Sequence, residues 1–141
     1  MRYEIPYEQI YRRLYALTAM DRADNIMVNR GETPFVLTPE VMPAVAESLG
    51  MTAANVLVRL PGVEICSTAD PIAFETLNAS PNPSATLELT VEALTMGTLA
   101  HIYRNSSPTA SQGYRDSSET AVAMLQAQVQ GALPTVKPYD I

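Results

Sequence analysis

The sequence predicts a mainly α-helical α+β fold, in which three to four helices accompany a small β-hairpin inserted before a long central helix. Two long segments, Ser84–Arg104 and Ala110–Gln130, carry apolar residues at helical spacing. Between Asn55 and Ser67 the chain is instead rich in β-branched residues around a Pro61-Gly62 turn signal. Apolar residues make up 47% of the 141 residues, which is enough to form a core.

The first predicted helix begins at Pro6 and runs to about Met20, because proline is tolerated in the first turn of a helix. One flank of its apolar arc is aliphatic and is expected to dock on the core. The other flank is rich in tyrosine and is expected to lie at the edge of the core. Four tyrosines recur at every fourth residue in this region: Tyr3, Tyr7, Tyr11 and Tyr15.

Tyrosine is favoured at subunit interfaces because its ring supplies apolar area and its hydroxyl can form a hydrogen bond. We therefore predict an interface anchored by Tyr7, Tyr11 and Tyr15 of the first helix and by Tyr139 near the end of the sequence. The alternative is that the tyrosine row forms a wide amphipathic face inside one domain.

Residues 21–34 are polar, and this predicts a loop that contains one short extended piece at Ile26–Val28. A second helix is predicted from Thr38, its N-cap, to Gly50, a glycine suited to a helix C-terminus. Asn55–Leu60 and Val63–Ser67 are then predicted to be the two strands of the hairpin. Residues 70–83 are expected to form a loop with room for one short element at 72–77.

The long helix that ends near Arg104 is apolar on two sides, which predicts that neighbours pack against both. Ala93, Gly97 and Ala100 form a strip of small residues that would let another backbone come close. Residues 1–133 are expected to form one compact domain, followed by an extended tail at residues 134–141.

The net charge of −6, from nine Lys and Arg and fifteen Asp and Glu, limits the kinds of partner that the protein can bind. A nucleic-acid binder needs cations to replace the counterions that it displaces from phosphates, so no specific nucleic-acid contact is expected. Anionic membrane surfaces are disfavoured for the same reason. No apolar run approaches the ~20 residues that span a bilayer, and residues 2–4 are not followed by the apolar segment of a signal peptide. These features predict a protein made in the cytoplasm.

We predict no catalytic residue, no cofactor and no metal site. His101 is the only histidine and lies on an apolar helical stripe, which is typical of a packed structural histidine. Cys66 is the only cysteine and has no Lys or Arg beside it to favour the thiolate. The sequence therefore does not predict an enzyme.

Two other functions remain open. Ala44–Leu60 resembles the helix-turn-helix of sigma factors and repressors, although Asn55 and Arg59 are all that its second helix would offer to DNA. A small DNA-binding regulator that uses residues 44–60 is therefore an alternative. The other is an accessory protein with a small-molecule pocket lined by Leu89, Met96 and Tyr103.

The span Leu89–Gln130 is similar to the two C-terminal helices of small bacteriophage proteins that form head–tail connector rings or complete the tail. In those proteins a long apolar helix ends in an aromatic and basic turn, which corresponds here to His101, Ile102, Tyr103 and Arg104. An alanine-rich amphipathic helix then packs back against it.

This resemblance implies a non-enzymatic virion structural protein of the neck, assembled in the host cytoplasm. It further implies a ring of identical subunits that contacts other virion proteins, such as portal or tail subunits. The acidic charge would suit a channel through which DNA passes without binding, and residues 134–141 would be an arm that becomes ordered on assembly.

Overall fold

A computed structural model describes residues 1–28, 37–78, 80 and 82–130 of the chain. These residues form a mainly helical α+β structure, as the sequence predicts. The elements, in chain order, are β1 (Arg2–Ile5), α1 (Tyr7–Val28), α2 (Met42–Val58), β2 (Val63–Ser67), β3 (Ile72–Thr76), α3 (Pro83–Ile102) and α4 (Pro108–Val129).

The three strands form an antiparallel sheet in the order β1-β3-β2. The central strand β3 is buried except at Glu75, and it pairs Phe74 with Tyr3 of β1. The two rings stack with their centroids 5.1 Å apart. This pairing ties the first residues of the chain to a strand some 70 positions later.

The hairpin is present, but its predicted position is wrong. Its strands are β2 and β3, whereas Asn55–Leu60, the predicted first strand, lies in the last turns of α2 and just after it. Val56, Leu57 and Leu60 are all buried at helical spacing, so their packing outweighs the β preference of this segment. Strand β1 has no counterpart in the sequence-based prediction.

Helix α2 begins later than predicted, at Met42 rather than just after Thr38, but it is longer because it passes through Gly50 to Val58. A β-carbon at position 50 would lie 3.3 Å from the Tyr7 hydroxyl oxygen, so this glycine makes space for a neighbour and does not end the helix. Residues 44–58 therefore form one uninterrupted helix. The turn that a helix-turn-helix requires is absent, and the structural basis of the regulator alternative is wrong.

Helix α1 extends through residues 21–28, where a loop with an extended piece at Ile26–Val28 was predicted. This segment is polar but contains neither glycine nor proline, and polarity alone does not end a helix. At its other end, the carboxylate of Asp70 accepts a hydrogen bond of 2.9 Å from the Tyr7 backbone N–H. The loop between β2 and β3 thus caps α1 and fixes it against the sheet.

Helices α3 and α4 lie close to their predicted positions and pack tightly side by side. Asn82 caps α3 and Ser107 caps α4, each by accepting a hydrogen bond from a backbone N–H of the first turn. Two buried serines of α4 cross-link the pair: Ser111 Oγ donates to the Ala100 carbonyl at 2.6 Å and Ser118 Oγ donates to that of Ala93 at 3.0 Å. The small residues of α3 therefore permit a close approach, as predicted.

The core is one cluster of buried side chains from the helices and the sheet, in which α3 packs against the other three helices. Its largest buried side chains come from every element except β2, and include Ile5, Ile10, Leu14, Leu49, Leu57, Phe74, Leu94, Leu99 and Leu125. Strand β2 is largely exposed on the outer edge of the sheet. The side of α2 that faces away from this core is consequently left at the surface.

Candidate functional site

The tyrosine row does not lie on one surface. The rings of Tyr3 and Tyr7 are buried within the chain, and the Tyr7 hydroxyl donates a 2.6 Å hydrogen bond to the Thr68 carbonyl oxygen. Tyr11 is half-buried with its ring edge-on to Tyr7, whereas Tyr15 is 58% exposed. Of the three predicted anchors on α1, Tyr15 and one side of Tyr11 therefore have surface for a partner. Tyr139 lies outside the described residues.

Burial also raises the pKa of both Tyr7 and Tyr11, because it penalises the charged phenolate. The nearby negative charge of Asp70 acts in the same direction on each ring. Both hydroxyls are thus held in the neutral form, which for Tyr7 is the form that donates the hydrogen bond to Thr68.

A second surface feature is the outer face of α2, the side turned away from the core. It comprises Pro43, Ala44, Glu47, Met51, Ala54, Asn55 and Val58, all exposed. Glu47 is the one charged residue of this 17-residue helix, while Met51 is 56% and Val58 70% exposed. The opposite side of α2 buries Val45, Leu49, Ala53, Val56 and Leu57. Helix α2 is therefore apolar on nearly all sides, although only one side is covered.

A cavity of about 330 Å³ opens where α2 meets α3 and α4. Three helices line it: α2 contributes Met51, Thr52, Asn55 and Val56, α3 contributes Gly97, Ala100 and His101, and α4 contributes Arg115, Ser118 and Glu119. Arg59, the residue that follows α2, completes the lining. Met51 and Asn55 belong both to this lining and to the outer face of α2, so the two surfaces are continuous.

The polar groups of the cavity fall into two sets. Arg59 is held in place, because its Nη1 lies 2.8 Å and 3.0 Å from the two carboxylate oxygens of Glu119 and its Nε donates to the Asn55 carbonyl oxygen. The side chains of Asn55, His101 and Arg115, by contrast, make no hydrogen bond or ion pair within the described part of the chain. Their donors are available to a ligand.

Leu89, Met96 and Tyr103, which were predicted to line a small-molecule pocket, are not among the residues that line this cavity. Tyr103 is buried and stacks on Tyr114 with ring centroids 5.6 Å apart. Sequence reasoning placed His101 in the packed interior, but it is half-buried and lines the cavity. The one sequence feature that could have indicated this cavity is the pair Arg115 and Glu119, which lie one turn apart on α4. Nothing in the sequence shows that α2 brings Arg59 to the same place.

Other chemistry-bearing groups are scattered. Cys66 is exposed on the edge strand β2. Over residues 1–28, 37–78, 80 and 82–130, no three His, Cys, Asp or Glu side chains are grouped so that they could hold a metal ion. In the same ranges no helix has both the length and the apolar character needed to cross a membrane.

Comparisons of the chain with models of protein families, with curated proteins and with solved structures find no match.

Proposed function

We propose that this chain is a non-enzymatic assembly protein, a subunit of a homo-oligomeric ring at the head–tail junction of a tailed bacteriophage. The observation that carries the assembly role is the uncovered apolar side of α2. A helix that is apolar all round normally lies in the interior of a protein, whereas α2 leaves Met51 and Val58 more than half exposed. Association with a second copy would cover that side.

The low charge of the surface supports the same role. Charged residues make up 17% of the chain, against roughly 25% in average soluble domains. Contiguous apolar surface rimmed by polar residues is typical of protein–protein contact sites. A specific interface buries ~1,600 Å² in total, so Met51 and Val58 would be anchors within a larger contact. Tyr15, exposed on α1, is a further anchor of the type that interfaces favour.

The position in a phage neck rests on the resemblance of Leu89–Gln130 to connector proteins. The two helices of that span pack back against each other through the small residues of α3, an arrangement that such a hairpin needs. In this role the ring contacts portal or tail subunits, its acidic surface lets DNA pass, and it belongs to the virion.

The test is the mass of the purified chain in solution, measured by light scattering behind a sizing column over a range of concentrations. We expect a mass several times the 15.3 kDa of one chain, and an annular particle by negative-stain electron microscopy. Val58→Arg places a charge in the proposed contact and should lower the association constant at least tenfold, because an unpaired charge is costly to bury. Arginine suits the C-terminal end of a helix, so the fold should be kept.

Met124→Arg is the matched control, since Met124 is 54% exposed on α4 and is not part of the outer face of α2. It should leave the association unchanged. A 15.3 kDa monomer at every concentration would contradict self-assembly, and equal effects of the two arginine substitutions would contradict the assignment to α2.

A further inference from the structure

We propose that the cavity between α2, α3 and α4 binds the oxyanion group, phosphate or carboxylate, of a small molecule. The cavity shares Met51 and Asn55 with the outer face of α2, but the inference rests on the polar groups of the lining and not on the proposed function. The lining carries two guanidinium groups, those of Arg59 and Arg115, against the single carboxylate of Glu119. In a chain of net charge −6, two of only nine Lys and Arg side chains thus face one cavity.

The single carboxylate is already engaged. Both oxygens of Glu119 lie within 3.0 Å of Arg59 Nη1, so its charge is largely neutralised by a partner inside the same lining. This ion pair holds Arg59 in one orientation and joins α2 to α4. The net positive charge that remains in the cavity is that of Arg115, with the imidazole of His101 beside it in the lining.

The unused donors then specify the ligand. The guanidinium of Arg115 offers a planar fork of N–H groups that matches the two oxygens of a carboxylate or phosphate. His101 and Asn55 add a ring N–H and an amide, and neither side chain has a partner among the residues that the structure describes. Three unpaired donor groups from three helices that line one cavity form a site for an acceptor that the chain itself does not supply.

The rest of the lining sets the size of the molecule. Met51, Val56 and Ala100 are apolar, and Gly97 has no side chain to fill the space. A volume of about 330 Å³ lies at the lower end of the ~300–1,000 Å³ range of ligand sites. The cavity therefore suits a compact ligand with one oxyanion group and a small apolar body.

The experiment uses the full chain and NMR of its histidine ring. Because His101 is the only histidine, its imidazole signals report on this cavity without assignment by mutagenesis. Sodium phosphate, sodium acetate and sodium chloride are titrated separately at fixed pH and fixed ionic strength. We expect the His101 signals to shift and saturate with phosphate, with acetate, or with both, and to remain constant with chloride. Saturation by only one oxyanion would identify which of the two the site takes.

Arg115→Gln should lower the affinity for the saturating anion about tenfold, since a hydrogen bond to a charged group is worth roughly one factor of ten or more in affinity. Arg115 is exposed on α4, so the variant is expected to fold, and its remaining spectrum checks this. Arg104→Gln is the matched control, because it removes the same charge from an exposed position three residues from His101 and outside the lining. It should change the affinity less than twofold.

Shifts that never saturate, shifts of equal size with chloride, or equal affinities of the wild type and Arg115→Gln would each overturn the proposal. Equal weakening by Arg115→Gln and Arg104→Gln would also overturn it, because it would assign the effect to overall charge. Assembly is tested by a different variant and a different measurement, the mass of Val58→Arg, and Val58 is not part of the lining, so failure of one proposal can be told from failure of the other.

Discussion

Gly97 of α3 and Thr52 of α2 approach so closely that a β-carbon at position 97 would lie 2.6 Å from Thr52 Cγ2. Ser118 Oγ of α4 would lie 3.3 Å from the same β-carbon. Three helices thus meet at a position where α3 has no side chain. This contact holds α2 close to α3, and all three residues line the cavity.

Gly97→Ala should destabilise the protein by about 1–2 kcal/mol, because overpacking outweighs the gain in helix propensity of about 1 kcal/mol. In a Thr52→Ser background the clashing methyl group is gone, so the same change should no longer destabilise the protein, because the propensity gain is then opposed only by the 3.3 Å approach to Ser118 Oγ. Gly113→Ala is the control: nothing lies within 4 Å of its β-carbon, so it should stabilise α4 by about 1 kcal/mol. Urea unfolding of the four variants measures each effect. Equal effects of Gly97→Ala in both backgrounds would show that Thr52 is not the limiting contact.

Gly50 and Tyr7 should show coupled stabilities. Alanine at position 50 would gain helix propensity but press on the Tyr7 hydroxyl oxygen at 3.3 Å and weaken its hydrogen bond to Thr68. In a Tyr7→Phe background that oxygen is absent, so Gly50→Ala should be more favourable there by about 1 kcal/mol, the worth of one hydrogen bond. A double-mutant cycle by urea unfolding measures this coupling. Additivity within about 0.3 kcal/mol would contradict it.

The raised pKa values of Tyr7 and Tyr11 predict a loss of stability at alkaline pH. Their ordinary pKa is 10.0, and the folded values lie above it, so the folded state holds its phenol protons more tightly than the unfolded state. Stability is therefore complete below about pH 10 and falls as the pH rises from there through the folded pKa values. The free energy of urea unfolding at pH 8, 9, 10 and 11 tests this.

Asp70→Asn is the informative variant for this alkaline loss. It keeps an oxygen that can accept the Tyr7 N–H at the start of α1, but it removes the negative charge that raises the pKa of both rings. The decline above pH 10 should become shallower, and in the double variant Tyr7→Phe, Tyr11→Phe it should shrink further. An identical decline in all three proteins would assign the alkaline loss to other groups.

Substitutions of Tyr15 and Tyr7 should affect different properties: the first should lower the association constant, and the second should lower the stability of the fold. Tyr15 is 58% exposed, so Tyr15→Ser should change the free energy of unfolding by less than about 0.5 kcal/mol while it lowers the association constant. Tyr7→Ser removes a buried ring and should cost about 3 kcal/mol of stability. Urea unfolding and light scattering provide the two readouts. If Tyr15→Ser leaves the mass distribution unchanged, Tyr15 is not an interface residue.

The sequence by itself determined the elements whose signals are local. Helices α3 and α4 follow from apolar residues at helical spacing, and the small residues of α3 predict that a neighbouring backbone lies close. The acidic charge and the dearth of lysine are likewise properties of composition. Such features need only the nearest few residues, because helical hydrogen bonds and side-chain spacing repeat within one or two turns.

Tertiary structure alone decided the features that join distant segments. The pairing of β1 with β3, the capping of α1 by Asp70 and the space that Gly50 leaves for Tyr7 each connect residues more than forty positions apart. The same is true of Arg59, which meets Glu119 only because α2 packs across α3 and α4. Local preferences predict a strand at Asn55–Leu60 and a helix end at Gly50. Burial of Val56, Leu57 and Leu60 stabilises the helix by more free energy than those preferences oppose it.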